Sequence, residues 1–345
     1  MKKRWVSLFL FTVVGLGTAR AQAPTGSSIL RKDPALDAIV PACAKLEKVA
    51  GGMSVLEGPV WVRSGQSGYL IFSDIPANVI HKWTPDGEVS EYLKPSGYTG
   101  KDPEHDGIFI DMGHGAVHLI GSNGITLDHQ GRVVFCAIGD REVVRIEADG
   151  KRTVLASRYE GKPLNAPNDL VYKSDGALYF TDPAGGTQKS DNDSKKVPPA
   201  QSVYLLKGGK LQLIVNDFAL PNGLAFSPDE KVMYIDDTIR KTVTRFDVAP
   251  DDTLTNGRLF ADMSADPAEG VPDGMKIDTK GNVYCTGPGG VWIFSPEGKY
   301  LGKIPVPEVA ANLAWGDADA RTLFVTARTS LYRIRLNVPG IRVSK

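Results

Sequence analysis

Short apolar runs separated by polar, turn-forming residues recur along most of the chain. Between Pro221 and Asp236 an apolar strand (224–226) runs into the polar turn Ser227–Lys231, and a second strand (232–235) returns toward Asp236. That alternation is the signature of a β-hairpin with Asn222 at the point where its first strand begins. The same pattern starts at Ser122-Asn123-Gly124, at Pro167-Asn168-Asp169 and at Pro272-Asp273-Gly274. Looser copies start at Glu57-Gly58-Pro59 and at Ala311-Asn312-Leu313, which makes six. From Asn123 onward the marked positions lie 45, 54, 51 and 39 residues apart, near the roughly 40–50 residues of a propeller blade. The pattern predicts an all-β fold, a six-bladed β-propeller with four-stranded antiparallel blades.

The second unit shows four strands most plainly, at 125–127, 133–137, 143–147 and 153–156, with Asp149-Gly150 at its last turn. The third carries a long polar excursion, Gly185–Pro199, and the sixth lacks an evident fourth strand before the chain ends. A closed ring is fastened by pairing the chain ends in one blade, so a segment within Leu46–Val55 is expected to supply that strand. Lys94–Gly121 interrupts the pattern with Tyr98, His105, His114 and His118 among several glycines. It predicts a rim insertion over the central opening, with Tyr98, His105 and His114 as candidate substrate-contacting residues. His81 and His129 fall in strand or turn positions and are read as structural. The expected organisation is a secretory signal over 1–21, a polar N-terminal tail over 22–45 and a single propeller domain over 46–340.

Composition narrows the function classes. With 37 Gly and 23 Pro the chain has many turns and few long helices. Its 40 basic residues balance 40 acidic ones; losing Lys2, Lys3, Arg4 and Arg20 with a leader leaves 36 against 40. A charge of −4 gives no steering toward nucleic acid. Lys2-Lys3-Arg4, the apolar run 5–16 and Ala19-Arg20-Ala21 form the three parts of an export signal, too short for a membrane span. Export to the periplasm or medium follows, with no membrane anchoring of the mature form, since no cysteine follows the cleavage box. Cys136 and Cys285 sit in apolar strands as free thiols, while the state of Cys43 stays open. No nucleophile elbow, phosphate loop or basic-aromatic stripe is present.

In a propeller, equivalent positions of the innermost strands converge on the axis. Here they are Glu57, Asn123, Asn168, Asn222, Asp273 and Asn312, all oxygen-bearing. Asn-Gly and Asp-Gly pairs also serve turns, which is the competing explanation. A ring of carboxylates and amides suits one hard divalent cation, with calcium, zinc, magnesium and manganese all open at this point. Glu57-Gly58-Pro59-Val60-Trp61, Asn168-Asp169-Leu170, Asn222-Gly223-Leu224 and Asp273-Gly274-Met275 resemble, in order, the rim motifs of the senescence marker protein/gluconolactonase family. The resemblance runs over about residues 56–336 and implies a six-bladed propeller with one divalent metal held by Glu57, Asn168, Asn222 and Asp273. It implies hydrolysis of a sugar lactone or related lactone, with Asp273 as general base and Asn123 donating to a substrate oxygen. The sugar lactonases often carry an Arg two residues before the Asn that corresponds to Asn168, where this chain has Ala166. The alternatives are a phosphotriesterase or other esterase on the same metal, or a non-catalytic secreted ligand-binding propeller.

Overall fold

Each marked repeat folds into one blade because its first strand is covered on both faces and its last is not. The innermost strands Ser122–Leu127, Pro221–Phe226 and Ala310–Gly316 are buried throughout, whereas the outermost strand Val89–Leu93 is almost wholly exposed. A sheet with that gradient is stable only when inner strands crowd round an axis and blade faces stack on one another. The computed structural model describes residues 28–65, 67–103, 106–111, 115–184 and 201–343. It is an all-β six-bladed propeller with antiparallel blades.

Blade 1 runs Leu56–Ser64, Ser67–Asp74, Val79–Trp83, Val89–Leu93, and blade 2 runs Ser122–Leu127, Val133–Ala137, Glu142–Ile146, Arg152–Ala156. Blade 3 is built from Leu170–Tyr172, Leu178–Asp182, Ser202–Lys207 and Lys210–Val215, blade 4 from Pro221–Phe226, Val232–Asp237, Thr242–Val248 and Leu254–Asp262. Blade 5 holds Met275–Ile277, Val283–Gly287, Gly290–Phe294 and Tyr300–Pro305, and blade 6 holds Ala310–Gly316, Thr322–Ala327 and Ser330–Arg335. The missing strand of blade 6 is Glu47–Gly51, antiparallel to Ser330–Arg335 with Glu47 opposite Arg333, as the ring-closure argument expects.

The core is a set of wedges between blades. Val60, Ile71 and Ile80 of blade 1 meet Ile125, Phe135 and Val144 of blade 2. At the seam between last and first blades Phe324 stacks on Trp61 at 5.6 Å and tilts against Trp83 at 5.3 Å. The N-terminal stretch departs from expectation. Leu30–Arg31 adds a fifth strand to blade 5, and the short helix Leu36–Ile39 buries Leu36 and Ile39 with Val40 against blades 5 and 6. Elements this short leave no periodicity to read, so composition alone made the stretch look like a loose tail.

Polar side chains at the ends of the second strands tie blades together. Ser73 Oγ donates to the Asn123 carbonyl at 2.8 Å, and Thr181 Oγ1 donates to the Asn222 carbonyl at 2.8 Å. The residue after each is a buried Asp that braces the approach to its own inner strand. Asp74 accepts from Ser54 N at 3.0 Å, Asp182 from Asn165 N at 2.9 Å, and Asp237 from Ala219 N at 2.7 Å. Thr181 also accepts from Asp169 N at 3.1 Å. Thr181→Val keeps the shape but removes both bonds in a buried setting, so we expect a loss of about 1–3 kcal/mol in denaturant unfolding. A loss within error would show the bridge to be idle.

Candidate metal centre at the tunnel mouth

The rim residues are placed by backbone crowding. A Cβ on Gly58 would stand 2.1 Å from the Asn123 carbonyl, and one on Gly223 would stand 2.3 Å from the Asp273 carbonyl. Gly124 and Gly274 abut the next blade in the same way, and neither they nor Gly223 has positive φ. At Gly124, Gly223 and Gly274 the glycine after the rim residue therefore serves close approach between blades rather than a left-handed turn, while Gly58, at φ +51°, serves both. The turn explanation of the Asn-Gly and Asp-Gly pairs fails at these positions.

Three carboxylates from alternate blades converge beyond these contacts: Glu57 of blade 1, Asp169 just ahead of the first strand of blade 3, and Asp273 just ahead of that of blade 5. Glu57 is buried, with Oε2 accepting from Gly58 N at 2.6 Å and from Asn312 Nδ2 at 2.9 Å. Asp169 Oδ2 accepts from the same Nδ2 at 3.2 Å and its Oδ1 from Leu170 N at 2.8 Å. Burial first, and the Asp169 charge second, push Glu57 up to about 7. Burial, then Glu57 and then Asp169, hold Asp273 well above the usual carboxylate range, against an Asn222 hydrogen bond. Glu57, Asn222 and Asp273 thus lie close enough to act on one another. Asn222 Nδ2 donates to Thr238 Oγ1 at 3.2 Å. Asn168 is half-buried at the same rim, its backbone fixed by Thr181 and by Gly124.

Glu57 Oε1, Asn123 Oδ1 and Asn222 Oδ1 are buried without a hydrogen-bond partner among the described residues. Buried acceptors of this kind are costly unless something positive meets them. Their oxygen chemistry fits a hard divalent cation. No cluster of three or more His, Cys, Asp or Glu arranged to hold a metal occurs among the described residues.

The insertion is used differently from the expectation. Tyr98 is buried, its hydroxyl donating to Asp106 Oδ2 at 2.8 Å and accepting from Asp102 N at 3.0 Å, so it is spent within the loop. His105 and His114 lie outside the described residues. His118 Nε2 is 2.6 Å from the Asp106 carbonyl and stacks on Phe109. His81 packs on Phe72 and His129 on Tyr172, both structural as read. Cys136 and Cys285 are buried free thiols and Cys43 is an exposed one. Sequence reasoning missed Asp169, Asp236, Lys276 and the true partners of Asn312. Asp169 was findable, since it replaces the glycine that follows the rim residue in four other copies.

The profile of the SMP-30/Gluconolactonase/LRE-like region matches residues 55–329. The chain belongs to that family. A gluconolactonase of Zymomonas mobilis is 34% identical over 342 residues, covering 95% of this chain and 92% of its own. A solved gluconolactonase from Xanthomonas campestris superposes with a TM-score of 0.73 at 32% identity, over 90% of this chain and 95% of that one. A regucalcin from Agrobacterium tumefaciens, described as a calcium-binding protein, shares the fold at a TM-score of 0.65 and 19% identity, over 85% and 94%. Family and fold together support a lactonase-type hydrolase acting on a small lactone or ester.

The raised Glu57 has a consequence for metal-free protein. A carboxyl raised in the folded state contributes stability that is complete below its unfolded value near 4.5 and lost as pH rises through about 7. In chelator, unfolding free energy should fall by roughly 1–3 kcal/mol between pH 5 and pH 8, and Glu57→Gln should flatten that slope. Parallel denaturant titrations of the two proteins read it directly; equal slopes would contradict the assignment.

Proposed function

We propose that this protein hydrolyses a lactone, a sugar lactone or a close relative, using one divalent cation, calcium foremost, held by Glu57, Asn168, Asn222 and Asp273. The observation that carries the reading is the set of buried oxygens without partners at the mouth, on Glu57, Asn123 and Asn222. When bound, the cation supplies a Lewis acid for the carbonyl oxygen and makes a nearby water more acidic. Glu57 is aimed from below, because Gly58 N and Asn312 Nδ2 both hold Oε2 and leave Oε1 turned to the site. Asn222 steadies Asp273 through a hydrogen bond to its carboxylate. The Asn123 amide donates to the substrate carbonyl or ring oxygen, fixing its orientation.

Asp273 takes the proton of the attacking water and passes it to the ring oxygen as the C–O bond breaks. A cation beside it favours its ionised form, which is the form a base requires. Ala166 stands where sugar lactonases often carry an arginine and is buried among Ile75, Leu119 and Ile138, so that position brings no guanidinium to the substrate.

Turnover should be measured on aldonolactones, aliphatic lactones, aryl esters and phosphotriesters, with and without calcium. We expect cation-dependent hydrolysis of lactones, and chelation should lower both activity and melting temperature because the donors come from different blades. Asp273→Asn keeps an oxygen donor of similar volume and should cost about 10²-fold or more in turnover at saturating cation. If that variant binds cation and turns over near the wild-type rate, Asp273 is a ligand alone.

We also propose export, with cleavage after Ala21, on the strength of the basic, apolar and small-residue segments in residues 1–21. Fractionation followed by N-terminal sequencing should find mature protein beginning at Gln22 outside the cytoplasm. A cytoplasmic protein that retains Lys2 would overturn it.

A further inference from the structure

Lys276 lies three residues beyond Asp273 and turns its ammonium into the tunnel below the rim. Nζ donates to Asn312 Oδ1 at 3.3 Å and to the Met275 carbonyl at 2.9 Å. The other end of that amide, Asn312 Nδ2, donates to Glu57 Oε2 and Asp169 Oδ2 at 2.9 and 3.2 Å. A single planar amide thus separates one cation from two carboxylates. On its far side Lys276 reaches the funnel at the opposite mouth, a cavity of about 650 Å³ walled by Trp61, Phe226 and Trp315 among others.

The amide cannot turn over. Reversed, it would aim Oδ1 at two carboxylates and its NH₂ at the ammonium. Leu313 N also donates to Oδ1 at 2.8 Å, so its orientation is held even without the lysine. Gly274 packs flat against it, since a Cβ there would stand 2.1 Å from Asn312 Cγ.

Formal charge gives this geometry its meaning. Glu57, Asp169 and Asp273 bring three negative charges when ionised, and Lys276 returns one, leaving two for a divalent cation to neutralise. Interactions this deep are weakly screened by salt.

We propose that Lys276 is the permanent counter-ion of the tunnel: it holds the converging carboxylates together when no cation is bound, and by the same charge weakens divalent cation binding at the rim. The second half rests on the cation reading given above. Lys276 is thus a positioning and tuning residue that never needs to touch substrate.

Lys276→Met and Lys276→Gln remove the charge while Leu313 N keeps the amide in place, and Lys276→Arg retains it. Calorimetric titration with calcium should show roughly tenfold tighter binding in both neutral variants. In chelator their melting temperatures should drop by roughly 3–8 °C, and the arginine variant should return both quantities toward wild type. Unchanged or weaker calcium affinity in the neutral variants, or unchanged melting in chelator, overturns the proposal. Should the wild-type protein bind no divalent cation, the cation reading falls and the tuning half with it. A lower melting temperature in chelator would then still support the counter-ion half.

Discussion

Six inner strands share one axis, and where four of them meet the next there is no room for a side chain. That crowding places glycine after the rim residue in four of the blades and leaves the rim residue itself facing the mouth. At Gly58 the next blade's carbonyl occupies the place of the missing Cβ; at Gly223 it is the Asp273 carbonyl that does so. The same close approach lets backbone bonds cross between blades, with Gly124 N donating to Asn168 O at 2.8 Å and Gly274 N to Ala311 O at 2.7 Å. Packing, register and the position of the chemical groups thus follow from one steric condition.

Convergence of carboxylates carries an energetic cost that the fold must offset. Desolvation and mutual repulsion both oppose ionisation of Glu57 and Asp273, and the fold has three ways to answer: protonation, an external cation or an internal one. Lys276 is the internal answer, placed behind Asn312 so that the mouth stays open. Had it reached Glu57 directly, the free oxygen that faces the mouth would have been consumed. The intervening amide transmits the charge while keeping the lysine out of the donor set.

Most of the architecture was legible in the sequence because strand alternation and a marked rim position repeat together. Ring closure was legible for a related reason, since the last blade was visibly one strand short and Glu47–Gly51 supplies it. Around the mouth the repeat pointed to Glu57, Asn222 and Asp273, which act on one another in the structure, and was silent where a residue departs from it. Asp169 stands at a glycine position, and Lys276 occupies an alternating strand position that reads as solvent-facing in a two-faced sheet. In a propeller the innermost strand has its second face on the tunnel, so polar alternation there marks the axis and not the surface. Tyr98 misled for the opposite reason. Its loop is at the rim, yet the hydroxyl satisfies Asp106 and Asp102 within the loop.

Asp236 shows how far the repeat constrains even its exceptions. It precedes Asp237 in blade 4 as Ser73 precedes Asp74 in blade 1 and Thr181 precedes Asp182 in blade 3. In those blades a hydroxyl at this place donates to the carbonyl of the next rim residue, Asn123 or Asn222. The next rim residue for blade 4 is Asp273, whose carbonyl and Asp236 Oδ2 both crowd the spot where a Cβ on Gly223 would lie. An ionised Asp236 would set an acceptor against that acceptor, whereas a protonated one has the O–H that a threonine would bring. Burial first, and then the Asp273 and Asp169 charges, hold Asp236 well above the usual carboxylate range, which favours the form that carries an O–H to that spot.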